Sequence, residues 1–158
     1  MSIVVIGAGI VGLSVAYELA SRGAIVRVLD PRGIGQGATR ASAGILAPYI
    51  EGHIEPLLRL GLCSLRLYDE FVARVCAHSG QPVEFERSGT LHVALDQHEA
   101  AQLASMAQAL VNAKVDHQLT DAAGAIRLEP HVNRRVTAAL LVRGHGYVAA
   151  GPFTAALA

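Results

Sequence analysis

A short apolar run, Ile3-Val4-Val5-Ile6, leads directly into Gly7-Ala8-Gly9-Ile10-Val11-Gly12. A helix-forming stretch from Leu13 to Ser21 follows, and a second apolar run, Ile25 to Leu29, stops at Asp30. Strand, glycine turn, helix, strand and acid in this order commit the chain to a parallel β-α-β unit of the kind that grips the adenosine diphosphate part of a dinucleotide. Each glycine has its own physical task. Gly7 permits the tight turn. Gly9 lets the backbone approach a pyrophosphate. Gly12 lets the helix pack closely on the strands. The helix N-terminus offers free N–H groups and a partial positive charge to phosphate. Asp30 lies eighteen residues beyond Gly12, near the ~20-residue offset of a carboxylate that binds ribose hydroxyls. An acid there disfavours a 2′-phosphate, so the fingerprint leaves FAD and NAD open and disfavours NADP.

The chain has 158 residues, enough for a real core. It is apolar, 52% hydrophobic against 16% charged, which hints at surface meant to be covered. Thirteen basic and thirteen acidic residues cancel, so nothing suggests a nucleic-acid footprint or a polybasic membrane patch. The apolar stretch from Ile3 to Ala20 imitates a signal peptide or a membrane span. No basic segment precedes it, Glu18 interrupts it, and its glycines have a better explanation, so a cytoplasmic protein is expected. Cys63 and Cys76 are read as core thiols in one helix. At a rise of ~1.5 Å per residue they lie about 20 Å apart, too far for a disulfide.

Residues 31–52 are rich in glycine and read as a long loop with one short helical turn. A helix is expected from about Glu55 to His78, with an apolar stripe that includes Leu58, Leu62, Leu65, Phe71, Val72 and Val75, ended by Gly80. Val83 to Arg87 and Thr90 to Leu95 read as two strands of an antiparallel hairpin around Ser88-Gly89. Asp96 and Glu99 form a capping box that opens a helix to about Asn112. A strand near Asp116 to Leu119 comes next. A short helix capped by Thr120 or Asp121 then runs through Ile126 and is broken at Glu129-Pro130. Val136 to Val142 is a strand, Gly144-His145-Gly146 a turn, and a last helix begins around Gly151-Pro152.

Only the strands at 3–6 and 25–29 belong to the nucleotide-binding sheet. Two parallel strands bury little and leave both edges open. The later strands read as a separate antiparallel sheet. The expected fold class is therefore α/β, a Rossmann-like start followed by part of an α+β antiparallel-sheet substrate domain, and incomplete. The segments expected are 1–52 for the dinucleotide, 53–144 for part of a substrate or cap domain, and 145–158 for a return to the first. A fragment, or one half of an assembly completed by a complementary chain or by homo-oligomerisation, is the expectation.

The segment Gly35-Gln36-Gly37-Ala38-Thr39-Arg40-Ala41-Ser42-Ala43-Gly44-Ile45-Leu46-Ala47-Pro48, together with the N-terminal fingerprint, resembles the FAD-dependent D-amino-acid oxidase family, above all its glycine oxidase branch of thiamine biosynthesis. Ser64-Leu65-Arg66-Leu67-Tyr68, Ser88-Gly89-Thr90-Leu91 and Leu128-Glu129-Pro130 extend the resemblance along essentially the whole chain. It implies FAD contacts at Ile10, Val11, Asp30, Pro31, Ala38, Thr39, Ala43, Gly44 and Ile45. The loop's chemistry agrees: small residues at Ala41, Ser42, Ala43 and Gly44 let backbone lie against a bulky flavin, and the Thr39 and Ser42 hydroxyls suit phosphate or ribityl groups. The resemblance implies oxidation of the carbon–nitrogen bond of a small amino acid or amine to an imine, which water then hydrolyses.

Family members run to well over twice this length. Their substrate-clamping arginine and late glycine-rich segment fall outside this sequence. Arg87, Arg127, Arg134, Arg135 and Arg143 match no substrate arginine, so no catalytic residue is nominated. Residues 148–153 depart from the family's register by two residues. Arg40 is read as facing solvent. Of the seven histidines, His53, His78, His92, His98, His117, His131 and His145, no pair has a ligand spacing. All read as surface or half-buried, and no metal site is expected. Tyr49 and Tyr68 read as packing residues. Two alternatives remain: an NAD-linked dehydrogenase using the same grip, which the 35–48 loop disfavours, and a truncated, non-catalytic FAD-binding fragment or subunit.

Overall fold

The structure, a computed structural model, describes residues 2–50 and 55–158. In chain order the elements are β1 (Ser2–Ile6), α1 (Ile10–Ser21), β2 (Ile25–Leu29), α2 (Ala38–Ala41), β3 (Ile45–Leu46), α3 (Glu55–Ser79) and β4 (Phe85–Glu86). Then follow β5 (Thr90–Ala94), α4 (Gln97–Asn112), β6 (His117–Asp121), α5 (Ala122–Leu128), β7 (Ala138–Val142), β8 (Gly146–Val148) and α6 (Ala150–Ala156). They form two compact units, one over residues 2–46, 55–86 and 147–158, the other over 47–50 and 87–146. Residues 55–86 thus belong to the first unit, and their sequence neighbours 87–144 to the second. Gly52 and His53 lie outside the described residues.

In the first unit β1 and β2 pair in parallel from Ser2↔Ile25 to Ile6↔Leu29. Gly7, at φ +105°, turns the chain out of β1 while its N–H donates to the Leu29 carbonyl. The turn's tightness shows at Gly12, where a Cβ would sit 2.0 Å from the Gly7 carbonyl oxygen, so only glycine fits. Strand residues alternate in burial along β1 and β2, and Val4, Ile6, Ile25 and Leu29 are exposed, Ile6 at 87%. The two-stranded sheet is therefore apolar on a face that nothing among the described residues covers. The core lies on the other side, where Leu13 of α1 meets Val72 and Val75 of α3 and Phe153 of α6. Phe71 stands edge-to-face on Phe153 at 5.7 Å. Burying Val75 and Phe153, at 0% and 1% exposure, is worth about 1.5–3 kcal/mol each. The apolar spacing of α3 gives this stripe, with Leu65, Val72 and Val75 buried, and Gly80 ends the helix at φ +67° with its N–H on the Cys76 carbonyl. A small antiparallel sheet, in the order β3-β8-β4, completes this unit.

The second unit is a three-stranded antiparallel sheet, β5-β7-β6, covered on both faces. Leu140 and Val142 meet Leu103, Ala107 and Leu110 of α4 on one side, and Ala139 meets Ala125 of α5 on the other. The capping box is present: the Glu99 N–H donates to the Asp96 carboxylate at 2.8 Å, and the Glu99 carboxylate accepts from Leu95 N–H. Asp121 rather than Thr120 caps α5, accepting from Gly124 N–H at 2.8 Å.

Three sequence expectations are corrected. The segments on either side of Ser88-Gly89 do not form a hairpin. β4 pairs with β8, and β5 pairs with β7. Gly89, at φ +85°, turns the chain, but its N–H goes to the His145 carbonyl, so the turn passes the chain from one sheet to another. Cys63 is exposed rather than a core thiol, since its position faces away from the Leu65-Val72-Val75 stripe, while Cys76 is half-buried and packs on the core. His145 is neither surface nor half-buried: it is fully buried. Tyr49 N–H donates to its Nε2 at 3.4 Å, which leaves the proton on Nδ1, and Nδ1–H donates to Thr90 Oγ1 at 2.7 Å. The Tyr49 ring stacks on it at 5.5 Å. Burial, helped by the nearby His92 and Arg87 charges, lowers its pKa to about 4.

Candidate functional site

The fingerprint and the loop after β2 meet in one cleft of about 530 Å³. Its walls bring together Gly7, Gly9, Ile10, Val11, Gly12, Asp30, Ala38, Thr39 and Ser42 from the residues picked out in the sequence, and add Ile6, Arg32 and Gly37. Pro31, Ala43, Gly44 and Ile45 lie outside its lining.

The cleft is built for an anion at the start of α1. Leu13 N–H bonds to the Gly9 carbonyl and Ile10 N–H to Thr39 Oγ1 at 3.0 Å. The N–H groups of Val11 and Gly12 have no protein acceptor among the described residues, as the first turn of any helix leaves them. Gly9 presents no side chain here, and a Cβ would meet Thr39 Oγ1 at 3.1 Å. Thr39, only 8% exposed, uses its oxygen as acceptor and keeps its proton to donate. Cation-attracting groups are absent from the helix end itself, since the first turn of α1 carries no acid.

Asp30 lines the same cleft. One carboxylate oxygen accepts from Ala8 N–H at 3.0 Å, the other from Arg32 N–H at 2.8 Å. The Ala8 bond first, then the Arg32 bond, holds its carboxyl below the usual carboxylate range. The carboxylate thus fastens the glycine turn to the end of β2, and each oxygen keeps a second lone pair for a hydroxyl donor. Ser42 Oγ accepts from Gly44 N–H at 3.0 Å. Gly44 is fixed by its own geometry, with φ at +70° and a Cβ position 1.8 Å from the Val148 carbonyl oxygen. Its carbonyl accepts from Val148 N–H, which ties the loop to β8. Arg40 is exposed, as read from the sequence, and donates to Gln36.

Backbone donors that need glycine neighbours, a hydroxyl beside them and an ionised carboxylate beyond make up the donor and acceptor set of a dinucleotide's diphosphate and ribose. Comparison with known proteins carries this to a family. Residues 2–158 match the FAD dependent oxidoreductase (DAO) family. The chain belongs to that family. Glycine oxidase from Geobacillus kaustophilus is 27% identical over 99% of this chain, which spans 42% of that protein. Its crystal structure superposes with a TM-score of 0.94 at 25% identity, again over 99% of this chain and 42% of the other. Iminodiacetate oxidase from Chelativorans superposes with a TM-score of 0.82 at 25% identity, over 98% of this chain and 42% of the other. A tRNA 5-methylaminomethyl-2-thiouridine biosynthesis bifunctional protein from Azoarcus is 35% identical over 67% of this chain and 17% of its own length. The fold is thus the N-terminal part of a glycine oxidase fold, and the chain spans under half the length of these relatives.

Ile6, Arg32 and Gly37 are the lining residues that sequence reasoning did not pick out. Arg32 carried a usable signal, since it follows Asp30 by two residues just beyond the end of β2 and lines the same cleft. Among the described residues no three His, Cys, Asp or Glu side chains converge as metal ligands, and no helix is long and apolar enough to cross a membrane.

Proposed function

We propose that this chain is the cofactor-holding part of an FAD-dependent oxidase that converts the carbon–nitrogen bond of a small amino acid or amine to an imine, as in glycine oxidase. The observation that carries the reading is the cleft where Val11 and Gly12 N–H, the Thr39 hydroxyl and Asp30 converge, in a DAO-family chain similar to glycine oxidase. Its residues fit the group: donors for a diphosphate, an acceptor for ribose and glycines where a Cβ would obstruct. Bound FAD would supply the two-electron acceptor for the substrate. Gly7, Gly9 and Gly12 shape the turn, and Ile10, Val11 and Thr39 surround the diphosphate. Asp30 and Pro31 take the ribose. Ala38, Ser42, Ala43, Gly44 and Ile45 form the small-residue bed toward the flavin.

The division into 1–52 for the cofactor, 53–144 for a cap portion and 145–158 for a return is proposed as a division of labour rather than of packing. The exposed faces of β1 and β2 support completion of the sheet by further polypeptide, and the free thiols of Cys63 and Cys76 suit a cytoplasmic setting.

Titrating the purified chain with FAD and with NAD tests the cofactor. FAD should bind with quenched flavin fluorescence and a shifted visible band, and ADP should displace it. Binding of NAD in preference to FAD would overturn the reading. The substrate class is tested on the polypeptide that carries this segment, by anaerobic bleaching of the flavin band with glycine and other small amines.

A further inference from the structure

We propose that His145 is an acid-operated latch on residues 47–50, whose protonation frees that stretch locally while the rest of the second unit stays folded. The stretch is an excursion of the chain: Leu46 before it and α3 after it belong to the first unit, whereas residues 47–50 belong to the second. Tyr49 N–H donates to His145 Nε2 at 3.4 Å, and the Tyr49 ring stacks on the imidazole at 5.5 Å. Tyr49 and Ile50, both half-buried, also pack on the cluster of Leu140 and Val142. The bond from Ile50 N–H to the Ala47 carbonyl lies within the stretch and gives it no anchorage. His145 itself is fastened elsewhere. Its carbonyl accepts from Gly89 N–H at 3.0 Å, its Nδ1–H donates to Thr90 Oγ1 at 2.7 Å, and the neighbouring Gly144 carbonyl accepts from Arg87 Nη1 at 3.1 Å. The ring therefore keeps its place when the stretch leaves.

The two ring nitrogens respond differently to a proton. Nδ1 is already a donor, and Thr90 Oγ1 accepts from it in either state. Nε2 is the acceptor, and a proton there sets one N–H against another. Protonation thus breaks the bond to the stretch and spares the bond to β5. The fully buried ring would hold its charge away from solvent. The titratable and charged groups facing it give no counter-ion: His92 on β5 and Arg87 ahead of β5 both oppose a second positive charge, and the Tyr49 phenol comes from the stretch itself. Arg143, on the same turn, is directed to Gln118 and Asp116. Departure of the stretch admits water to the ring, and the charged form gains most from that. With the latch shut the pKa is about 4, against the ordinary 6.5. The latch therefore holds in full above pH 6.5 and loosens as pH falls toward 4. A stretch with so few anchors opens at a lower free energy than the strands beneath it.

Native-state amide exchange on the chain tests this, with each rate divided by the intrinsic rate at the same pH. Protection of the wild-type Tyr49 amide should fall by about fivefold to thirtyfold between pH 7.5 and pH 5, the span being set by how far the opened ring regains its ordinary pKa. In about 1 M urea the Tyr49 amide should keep its protection within about twofold, because its opening exposes little surface. Leu140 in β7, which exchanges when the whole unit unfolds, should lose about fivefold or more in the same urea. His145→Asn does not titrate there. It should lower Tyr49 protection at pH 7.5 and leave it equal, within about twofold, at the two pH values. The inference is overturned if the wild-type Tyr49 amide loses less than about fivefold between the two pH values, if it follows Leu140 in urea, or if His145→Asn retains the wild-type fall. Should His145→Asn fail to fold, the pH and urea measurements on the wild type decide the matter on their own.

Discussion

His145 gives the sharpest test of the second unit. Its imidazole is fully buried and makes two hydrogen bonds that both require the neutral ring, one from Tyr49 N–H to Nε2 and one from Nδ1–H to Thr90 Oγ1. Protonation puts a second donor against the Tyr49 N–H and adds a charge beside His92 and Arg87. Its pKa falls from 6.5 to about 4 on folding. The unfolded chain therefore binds the extra proton first, and the stabilisation is fully present above pH 6.5 and drains away as pH falls toward 4. The full shift is worth about 3 kcal/mol, of which about 2 kcal/mol is lost between pH 7.5 and pH 5. Replacing the ring by an amide that does not titrate isolates this share. In urea unfolding at pH 7.5, His145→Asn should cost about 1–2 kcal/mol, the worth of a disturbed buried hydrogen-bond pair. At pH 5 the wild type should have lost its advantage, because every other titrating group is common to both chains and cancels in the difference. A wild-type-minus-variant difference that stays constant within about 0.5 kcal/mol between the two pH values would refute the reasoning. So would an imidazole resonance of His145 that titrates near its ordinary value.

Two further outcomes follow from single contacts around the cleft. Gly44→Ala should destabilise the first unit by well over 2 kcal/mol, because φ is +70° and the new Cβ would lie 1.8 Å from the Val148 carbonyl oxygen. Gly80→Ala, at φ +67° with open space around its Cβ, should cost about 1 kcal/mol, so the excess measured by chemical denaturation reads the clash with β8. Thr39→Val, nearly isosteric, removes the acceptor of the Ile10 N–H and should cost about 1 kcal/mol. It should also weaken FAD binding measured by fluorescence quenching, while Thr39→Ser retains both.

What could be read from the residues alone was whatever one position decides locally. Gly7, Gly12 and Gly44 each sit where a side chain is strained or collides with a carbonyl, and a turn that admits only glycine shows itself in one letter. The Asp96 and Glu99 cap and the stripe of α3 are legible for the same reason, since their partners lie within a few residues or recur at a fixed period. The losses share the opposite property. β3, β4 and β8 span two or three residues, too few for any period, and exist because distant carbonyls and N–H groups need partners. The misread hairpin had the right local chemistry at Ser88-Gly89, yet β5 found its partner in β7, some fifty residues on.

His145 makes the general point physically. In sequence it sits between two glycines, where a turn and solvent are the natural expectation. Its burial is decided by Tyr49 and Thr90, 96 and 55 residues away, and nothing in its own neighbourhood encodes them. The cleft at the start of α1 shows the reverse case within one chain. Ala8, Asp30 and Arg32 are joined by bonds that close a short loop at the end of β2. Arg32, a lining residue of the cleft, goes unnoticed there when the reading stops at the acid and does not follow the chain two residues further. Sites assembled from one β-α-β unit are thus open to residue-by-residue reasoning in a way that buried networks drawn from three distant segments are not.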